Sequence, residues 1–223
     1  MGAQAGRTLL VIFDCDGVLV DSEPIANASF SEALRRQGLD WTVEETMRRL
    51  MGRSLTSCLE ICEAELGRRL PDDFLETMQA VTYRNFREAP LQPVRHVRQA
   101  IVALHAAGIA TCVASSGAHE KMRLTLGLTG LWELFEGRIF SVADVPRGKP
   151  FPDLFLHAAI ALGAQPFSCV VVEDSVPGLQ AARSAGMRAL AYAGAPYADR
   201  RALAAAGGEL FDDMADLPRL VLP

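Results

Sequence analysis

Two aspartates one residue apart, Asp14 and Asp16, directly follow the apolar run Leu9 to Phe13. A buried strand that ends in two carboxylates concentrates negative charge where it is costly, unless a cation shares the site. A glycine comes next, so the backbone can turn sharply and let both side chains face one crevice. The segment therefore predicts a metal site and a reaction at the end of this strand.

Three further groups of polar residues follow apolar runs along the chain. They are Ser115 with Ser116, then Lys149, then Glu173 with Asp174. Each group alone has an ordinary explanation as a turn, a helix cap or a solvated lysine. Because open parallel sheets bind ligands outside the carboxyl ends of their strands, four such groups in this order predict one shared site.

The elements that must position these groups alternate between short apolar runs and longer amphipathic segments. This alternation predicts an α/β fold, with a parallel sheet covered by helices on both faces. The predicted strands are Leu9–Phe13, Ile109–Ala114, Arg138–Val142, Cys169–Val172 and Arg188–Ala193. Three helices, each followed by a glycine, are predicted over Val94–Ala107, Pro152–Leu162 and Val176–Ala185.

Nearly a hundred positions separate the first predicted strand from the second, whereas a strand-helix-strand unit takes about 30 residues. Four helical segments fill this gap: Pro24–Gln37, Val43–Met51, Ser54–Leu66 and Asp72–Arg87. We therefore expect a core formed by residues 1–21 and 92–223. A small helical cap, residues 22–91, is expected to cover the crevice where the strands end.

Composition limits the possible partners and the compartment. The formal net charge of −5 argues against a surface for nucleic acid or for an anionic membrane, because both need clustered lysine and arginine. The apolar run before Asp14 is too short for a secretory core or a membrane span, so we expect a cytoplasmic protein. The five cysteines are scattered through apolar segments and are interpreted as reduced core thiols. A monomer is expected.

Cys62 and Arg68 have the spacing of the cysteine and arginine in cysteine-dependent phosphatases. The loop between them would carry Glu63 and Glu65, which repel phosphate, and the surrounding sequence has helical periodicity. We interpret this spacing as a coincidence.

The segments DCDGVLVDSE, VASSG, GKPFPD and VVVEDS, with the helical insert after the first, resemble the haloacid dehalogenase superfamily of phosphotransferases. The resemblance covers nearly the whole chain and is to the branch of β-phosphoglucomutase-like proteins and sugar-phosphate phosphatases. It implies a Rossmann-like core with a mobile helical cap. It also implies Mg²⁺ as cofactor and an aspartyl-phosphate intermediate.

The resemblance and the chemistry of the residues together give a metal site and a nucleophile. Asp14 is the expected nucleophile and also a metal ligand. Asp174, with Glu173, would complete an oxygen-rich shell suited to Mg²⁺. By analogy with the family, Asp16 would add its backbone carbonyl as a ligand.

The remaining groups would handle the phosphate and the proton. Lys149, with the metal, would cancel the repulsion between a carboxylate and a phosphate dianion. Ser115 and the backbone N–H of Ser116 would hold the phosphoryl oxygens at a helix N-terminus. Asp16 would act first as general acid toward the leaving alkoxide and later as the base that activates water.

Substrate specificity is expected in the cap and in the loops that face it. Arg53 follows a glycine at a helix junction and is the candidate for binding the leaving group. Asp21 and Ser22 are expected to line the entrance. His119 and Lys121, which follow Ser115 and Ser116 in the sequence, are further candidates.

The predicted function is hydrolysis of a small phosphorylated metabolite, such as a sugar phosphate or a sugar-acid phosphate like 6-phosphogluconate. One alternative is a sugar-phosphate mutase of the β-phosphoglucomutase type. Ala26 and Leu55 stand where that family has a histidine and an arginine, which favours hydrolysis. Another alternative is a phosphate-binding protein of the same fold without turnover. Such a protein usually lacks the nucleophile or the general acid, whereas Asp14 and Asp16 are both present.

Overall fold

A computed structural model of the chain describes residues 8–50 and 55–222, without the side chains of residues 55 and 56. These residues form two compact units. The larger unit contains the described residues up to Asp21 together with those from Gln92 onward, and the smaller, helical unit is Ser22–Leu91.

The larger unit is built on a sheet that has six strands in the described part of the chain. The strands are β1 (Leu10–Phe13), β2 (Ala110–Ser115), β3 (Ile139–Ser141), β4 (Cys169–Glu173), β5 (Arg188–Tyr192) and β6 (Glu209–Phe211). Their order is β3-β2-β1-β4-β5-β6, and all neighbours run parallel. Strand β1 lies in the interior of this order and is buried along its whole length, as a continuous apolar run requires.

The register of the central strands brings the polar groups to one edge of the sheet. Phe13, the last residue of β1, is aligned with Val113 of β2 and with Val172 of β4. Asp14, the residue after β1, therefore lies beside Glu173, the last residue of β4, and Ser115 ends β2 two positions after Val113. This edge is the carboxyl end of the strands, where ligands of open α/β sheets bind.

The helical unit contains α1 (Glu23–Arg36), α2 (Val43–Leu50), α3 (Leu55–Leu66) and α4 (Phe74–Glu88). Its core includes Leu34, Trp41, Cys62 and Phe74. The predicted ends at Met51 and Ser54 lie outside the described residues.

The helices of the larger unit are α5 (Val97–Ala106), α6 (His119–Leu128), α7 (Trp132–Phe135), α8 (Asp153–Ala161), α9 (Val176–Ser184), α10 (Arg200–Ala205) and α11 (Leu217–Val221). A core cluster buries Ile12 and Val171 of the sheet with Phe155 of α8 and Leu179 of α9. None of the helices in the described residues is long and apolar enough to cross a membrane.

This architecture confirms the predicted α/β fold with a parallel sheet. The five predicted strands are present, with ends that differ by at most one residue. The helix predicted from Val94 begins only at Val97, because His96 has a φ of 63° and so lies in the left-handed region. The sequence analysis did not predict β6, a strand of three residues at the edge of the sheet. The sequence indicated that a helix begins after Ser116, where α6 lies, but α7, α10 and α11 were not predicted.

Candidate active site

The Lys149 ammonium joins the ends of three strands. Its Nζ donates to Asp14 Oδ1 and to Glu173 Oε1, both at 2.6 Å, and to the carbonyl oxygen of Ala114 at 3.0 Å. The same atom lies 5.0 Å from the centroid of the Phe155 ring. One buried cation therefore contacts the residue after β1, the last residue of β4 and a residue of β2.

Burial and charge shift the protonation of this cluster. Burial raises the pKa of Asp14 to about 7, and the carboxylates of Glu173 and Asp16 act in the same direction, against the Lys149 ammonium. Burial acts to lower the pKa of Lys149, but the carboxylates of Asp14 and Glu173 outweigh it and raise this pKa. Lys149 therefore remains charged.

Asp14, Glu173 and Asp174 form an acidic cluster that could hold a metal ion. Each offers a carboxylate oxygen, and these three atoms lie within 4.8 Å of one another. Oxygen donors of this kind suit a hard divalent cation such as Mg²⁺. Gly17, with a φ of 75°, makes room for the cluster, because a Cβ at this position would overlap with the Asp174 carboxylate.

Glu173 is fully buried and fixed by the turn that follows β4. Its Oε2 accepts from the N–H groups of Asp174 and Ser175, at 3.1 and 3.0 Å, and from Ser175 Oγ at 2.8 Å. A Cβ at Gly178, in the first turn of α9, would overlap with the same carboxylate. The sequence EDSVPG thus places a carboxylate against the N-terminus of α9, where the helix dipole favours negative charge.

Asp16 lies on the turn between β1 and the helical unit and pairs with Lys121 of α6. Lys121 Nζ donates to Asp16 Oδ2 at 2.8 Å. The backbone of the turn is held by the bridge between Asp16 and Val20 and by the bond from Gly17 N–H to the Val20 carbonyl at 2.8 Å. The sequence analysis named Lys121 only as a candidate for substrate contact and did not predict this pair.

The loop between β2 and α6, which we call the phosphate loop (residues 115–118), begins with a buried serine and an exposed one. Ser115 Oγ accepts from Gly117 N–H at 3.1 Å, whereas Ser116 is exposed. Ser141, the last residue of β3, donates from Oγ to the Gly117 carbonyl at 2.8 Å. The sequence analysis did not identify Ser141 as part of the site, although the serine and the aspartate three residues later form a capping-box pattern.

His119, which was predicted to contact substrate, contacts Asp144 in the structure. His119 Nε2 lies 3.0 Å from both carboxylate oxygens of Asp144, and Asp144 Oδ2 also accepts from Ser141 N–H at 2.7 Å. Burial acts to raise the pKa of Asp144, but the bonds from Ser141 and His119 outweigh it and hold this pKa below its usual value. This arrangement connects the start of α6 to the loop after β3.

Asp21, Ser22 and Arg53 were also predicted to contact substrate. Asp21 is exposed; its N–H donates to the Gln92 carbonyl at 3.0 Å, and its Oδ1 accepts from the Tyr197 hydroxyl at 3.4 Å. Ser22 is buried at the N-terminus of α1, in the helical unit. Arg53 lies outside the described residues.

Cys62 is a buried residue of α3. Burial raises the pKa of its thiol to about 11, so the thiolate that a cysteine-dependent phosphatase needs is disfavoured. Arg68 donates to the Gln37 carbonyl at 2.6 Å. These observations support the interpretation of the spacing as a coincidence.

The fold and the site define a member of the haloacid dehalogenase-like hydrolases. Residues 8–186 match the model of that family, and the chain belongs to it. The 6-phosphogluconate phosphatase of Escherichia coli K12 is 30% identical over 191 residues, which cover 86% of this chain and 85% of the relative.

Two solved structures show the same likeness over nearly the whole chain. A conserved haloacid dehalogenase-like protein of unknown function from Agrobacterium tumefaciens has a TM-score of 0.83 and 34% identity, covering 96% of this chain and 97% of the other. A protein assigned as a β-phosphoglucomutase from Thermotoga maritima has a TM-score of 0.80 and 27% identity, covering 96% and 98%. These matches confirm the predicted family and support the prediction of an enzyme, a phosphatase of that family.

Proposed function

We propose that this chain is a Mg²⁺-dependent phosphomonoester hydrolase that acts on a small phosphorylated metabolite through an aspartyl-phosphate on Asp14. The observation that carries the proposal is the position of Lys149, 2.6 Å from both Asp14 and Glu173 at the end of the central strands. A buried cation beside an aspartate that follows β1 is what an anionic nucleophile needs to approach an anionic ester.

The charge of the site supports a divalent cation. Asp14, Glu173 and Asp174 bring three carboxyl groups together, and Lys149 pairs with two of them, Asp14 and Glu173. Asp14, Glu173 and Asp174, with the backbone carbonyl of Asp16, would hold Mg²⁺. When bound, Mg²⁺ would supply positive charge that reduces the repulsion between the Asp14 carboxylate and the phosphate dianion.

In the first step an oxygen of Asp14 attacks phosphorus, and the bond from phosphorus to the ester oxygen breaks. Asp16 gives its proton to that oxygen, so the alcohol leaves neutral. Ser115 and the N–H of Ser116 would hold the phosphoryl oxygens near the N-terminus of α6. In the second step a water molecule attacks the phosphorus of phospho-Asp14 and gives its proton to Asp16. The bond to Asp14 breaks, and inorganic phosphate is released.

The proposed substrates are sugar phosphates and sugar-acid phosphates such as 6-phosphogluconate. The likeness to a 6-phosphogluconate phosphatase supports this range. We further propose that the larger unit acts as the catalytic core and that Ser22–Leu91 acts as a cap whose Arg53 binds the leaving group. Asp21, Ser22 and His119 remain proposed contacts of the substrate, and we propose a cytoplasmic monomer.

A mutase of the β-phosphoglucomutase type is the second candidate, because one of the similar structures is assigned to that activity. A mutase must hold a second phosphate. The histidine and arginine that help to do so in that family are replaced here by Ala26 and Leu55, so we favour hydrolysis.

The test is release of inorganic phosphate from p-nitrophenyl phosphate, with and without Mg²⁺, by the wild type and by Asp14→Asn. The control is Asp212→Asn, which removes an exposed carboxylate of the larger unit. We expect Mg²⁺-dependent turnover by the wild type and the control alone. Equal turnover by Asp14→Asn would contradict the nucleophile, and no turnover by the wild type would favour the phosphate-binding protein.

The same assay should then cover sugar phosphates, sugar-acid phosphates, nucleotides and phosphoglycolate. Glucose 1-phosphate with its bisphosphate activator should be added to detect isomerisation. Formation of glucose 6-phosphate faster than release of phosphate would establish the mutase instead.

A further inference from the structure

The two lysines of this chain both pair with aspartates of the first motif. Of 22 lysines and arginines, only Lys121 and Lys149 are lysines. Lys149 donates to Asp14 and Lys121 to Asp16, at 2.6 and 2.8 Å. The proposed reaction gives Lys149 a role, but it gives none to Lys121.

Lys121 meets Asp16 directly beside the phosphate loop. It is the third residue of α6, the helix that follows this loop. A Cβ added at Gly117 would lie 3.6 Å from Lys121 Cδ, 3.8 Å from Asp16 Oδ2 and 3.5 Å from Ser115 Oγ. The stem of Lys121, the Asp16 carboxylate and the Ser115 hydroxyl therefore surround one backbone position of the loop.

The pair between Lys121 and Asp16 is less buried than the pair between Lys149 and Asp14. Its side chains are 25% and 20% exposed, against 5% and 11%, so we expect it to contribute less to stability. The backbone of Asp16 is already held by its bridge to Val20. The hydrogen bond from the Lys121 ammonium fixes the direction of the Asp16 carboxylate. Without such a bond, the terminal torsion angle of an aspartate has a broad distribution.

We propose that Lys121 is a positioning residue that holds the Asp16 carboxylate through Oδ2 and directs it toward the phosphate loop. In this orientation Asp16 can give its proton to the ester oxygen of a bound substrate. Lys121 itself neither gains nor loses a proton. The inference rests on the proposed function, in which Asp16 is the general acid.

The test compares esters whose leaving groups differ in their need for a proton. An alkyl phosphate such as glycerol 1-phosphate releases a basic alkoxide, whereas p-nitrophenyl phosphate releases a stable phenolate. The value of kcat/KM reports the steps up to phosphoryl transfer, where Asp16 acts as the acid. It should be measured for the wild type, Lys121→Met and Lys121→Arg. The matched control is Arg123→Met, which removes a cation of the same helix that lies over the Trp132 ring.

We expect Lys121→Met to lower kcat/KM by about 100-fold for the alkyl ester, within the usual contribution of general acid catalysis, and by less than about threefold for the aryl ester. Lys121→Arg should restore most of the loss, and Arg123→Met should change neither ester. A merely structural role would not depend on the leaving group.

Equal losses for both esters, or no loss for either, would overturn the role of Lys121 and leave the phosphatase proposal in place. A wild type that hydrolyses neither ester in Mg²⁺, nor any of the metabolites above, would overturn both proposals.

Discussion

Lys149 Nζ and Asp14 Oδ1 lie 2.6 Å apart, and their side chains are only 5% and 11% exposed. A pair this buried must overcome a large desolvation cost, and removal of one partner leaves a buried charge without compensation. Lys149→Met is therefore expected to lower the free energy of unfolding by about 3 to 5 kcal/mol. It should also abolish turnover, since Asp14 and Glu173 would then repel the phosphate. Urea unfolding and the phosphate-release assay measure the two effects.

Lys121→Met is the matched control for stability, because it removes the other lysine from a partly exposed pair. It should change the free energy of unfolding by less than about 1 kcal/mol. If Lys149→Met were no less stable than Lys121→Met, the buried pair would not have the energetic importance that its geometry indicates.

In the metal-free protein, the stability of Asp14→Asn relative to the wild type should rise with pH up to neutrality. Burial raises the pKa of Asp14 to about 7, from an ordinary value of 3.8 in the unfolded chain. Between these values the folded state keeps a proton that the unfolded state has lost, so this carboxyl makes stability fall as pH rises. The variant lacks this effect.

The free energy of unfolding of Asp14→Asn, relative to that of the wild type, should rise between about pH 4 and about pH 7, by on the order of a few kcal/mol. Urea unfolding in EDTA at a series of pH values measures it. A difference that stays constant with pH, or that shrinks as pH rises, would contradict the raised pKa.

Mg²⁺ should stabilise the folded protein through the acidic cluster. At a concentration a hundred times its Kd, a ligand of the folded state adds about 2.7 kcal/mol, which corresponds to a rise in Tm of about 5 °C or more for a chain of this size. Asp174→Asn should lose most of this rise, because it removes one of the three clustered carboxylates. Asp212→Asn should keep it. Equal Mg²⁺-dependent shifts in Asp174→Asn and the wild type would place the ion elsewhere.

The sequence predicted the parts of the site that share one edge of the sheet. Asp14, Ser115, Lys149 and Glu173 each follow an apolar run, and parallel strands bring such positions together without further information. Contacts made by helices were harder to predict. The bond from Lys121 to Asp16 depends on how α6 packs, whereas the sequence indicated only that a helix begins after Ser116.

Two other features were not predicted from the sequence, for similar physical reasons. Strand β6 contains three residues, too few for an alternating pattern to stand out. The contact between His119 and Asp144 joins residues 25 positions apart, and neither residue type alone indicates the other. Close approaches at glycines also appear only in three dimensions, as at Gly178 beside Glu173.

Gly178→Ala should disrupt the site, although alanine is normally the better helix former. A Cβ at this position would overlap with the buried Glu173 carboxylate, which also binds Lys149. We expect a loss of about 1 to 3 kcal/mol in the free energy of unfolding, as for overpacking, together with a weaker Mg²⁺-dependent rise in Tm.

Gly127→Ala is the matched control within α6, because a Cβ there meets no heavy atom within 4 Å. It should stabilise the protein by up to about 1 kcal/mol, the usual difference between glycine and alanine in a helix. Similar effects of the two substitutions would contradict the close approach of Gly178 to Glu173.

Arg53→Ala tests the proposed binding of the leaving group. An arginine that contacts the leaving group of a sugar-acid phosphate contributes to transition-state binding of that substrate, and little to that of p-nitrophenyl phosphate, which lacks these polar groups. We expect kcat/KM to fall by about tenfold or more for the best sugar or sugar-acid phosphate. This loss corresponds to the roughly 1.5 to 3 kcal/mol that a hydrogen bond to a charged group contributes. The change for p-nitrophenyl phosphate should be less than about threefold.

Arg48→Ala removes a largely exposed arginine of α2 and should change neither value. Equal losses on both substrates in Arg53→Ala would assign this residue to the phosphate or to folding, and the leaving group would then be bound by other residues.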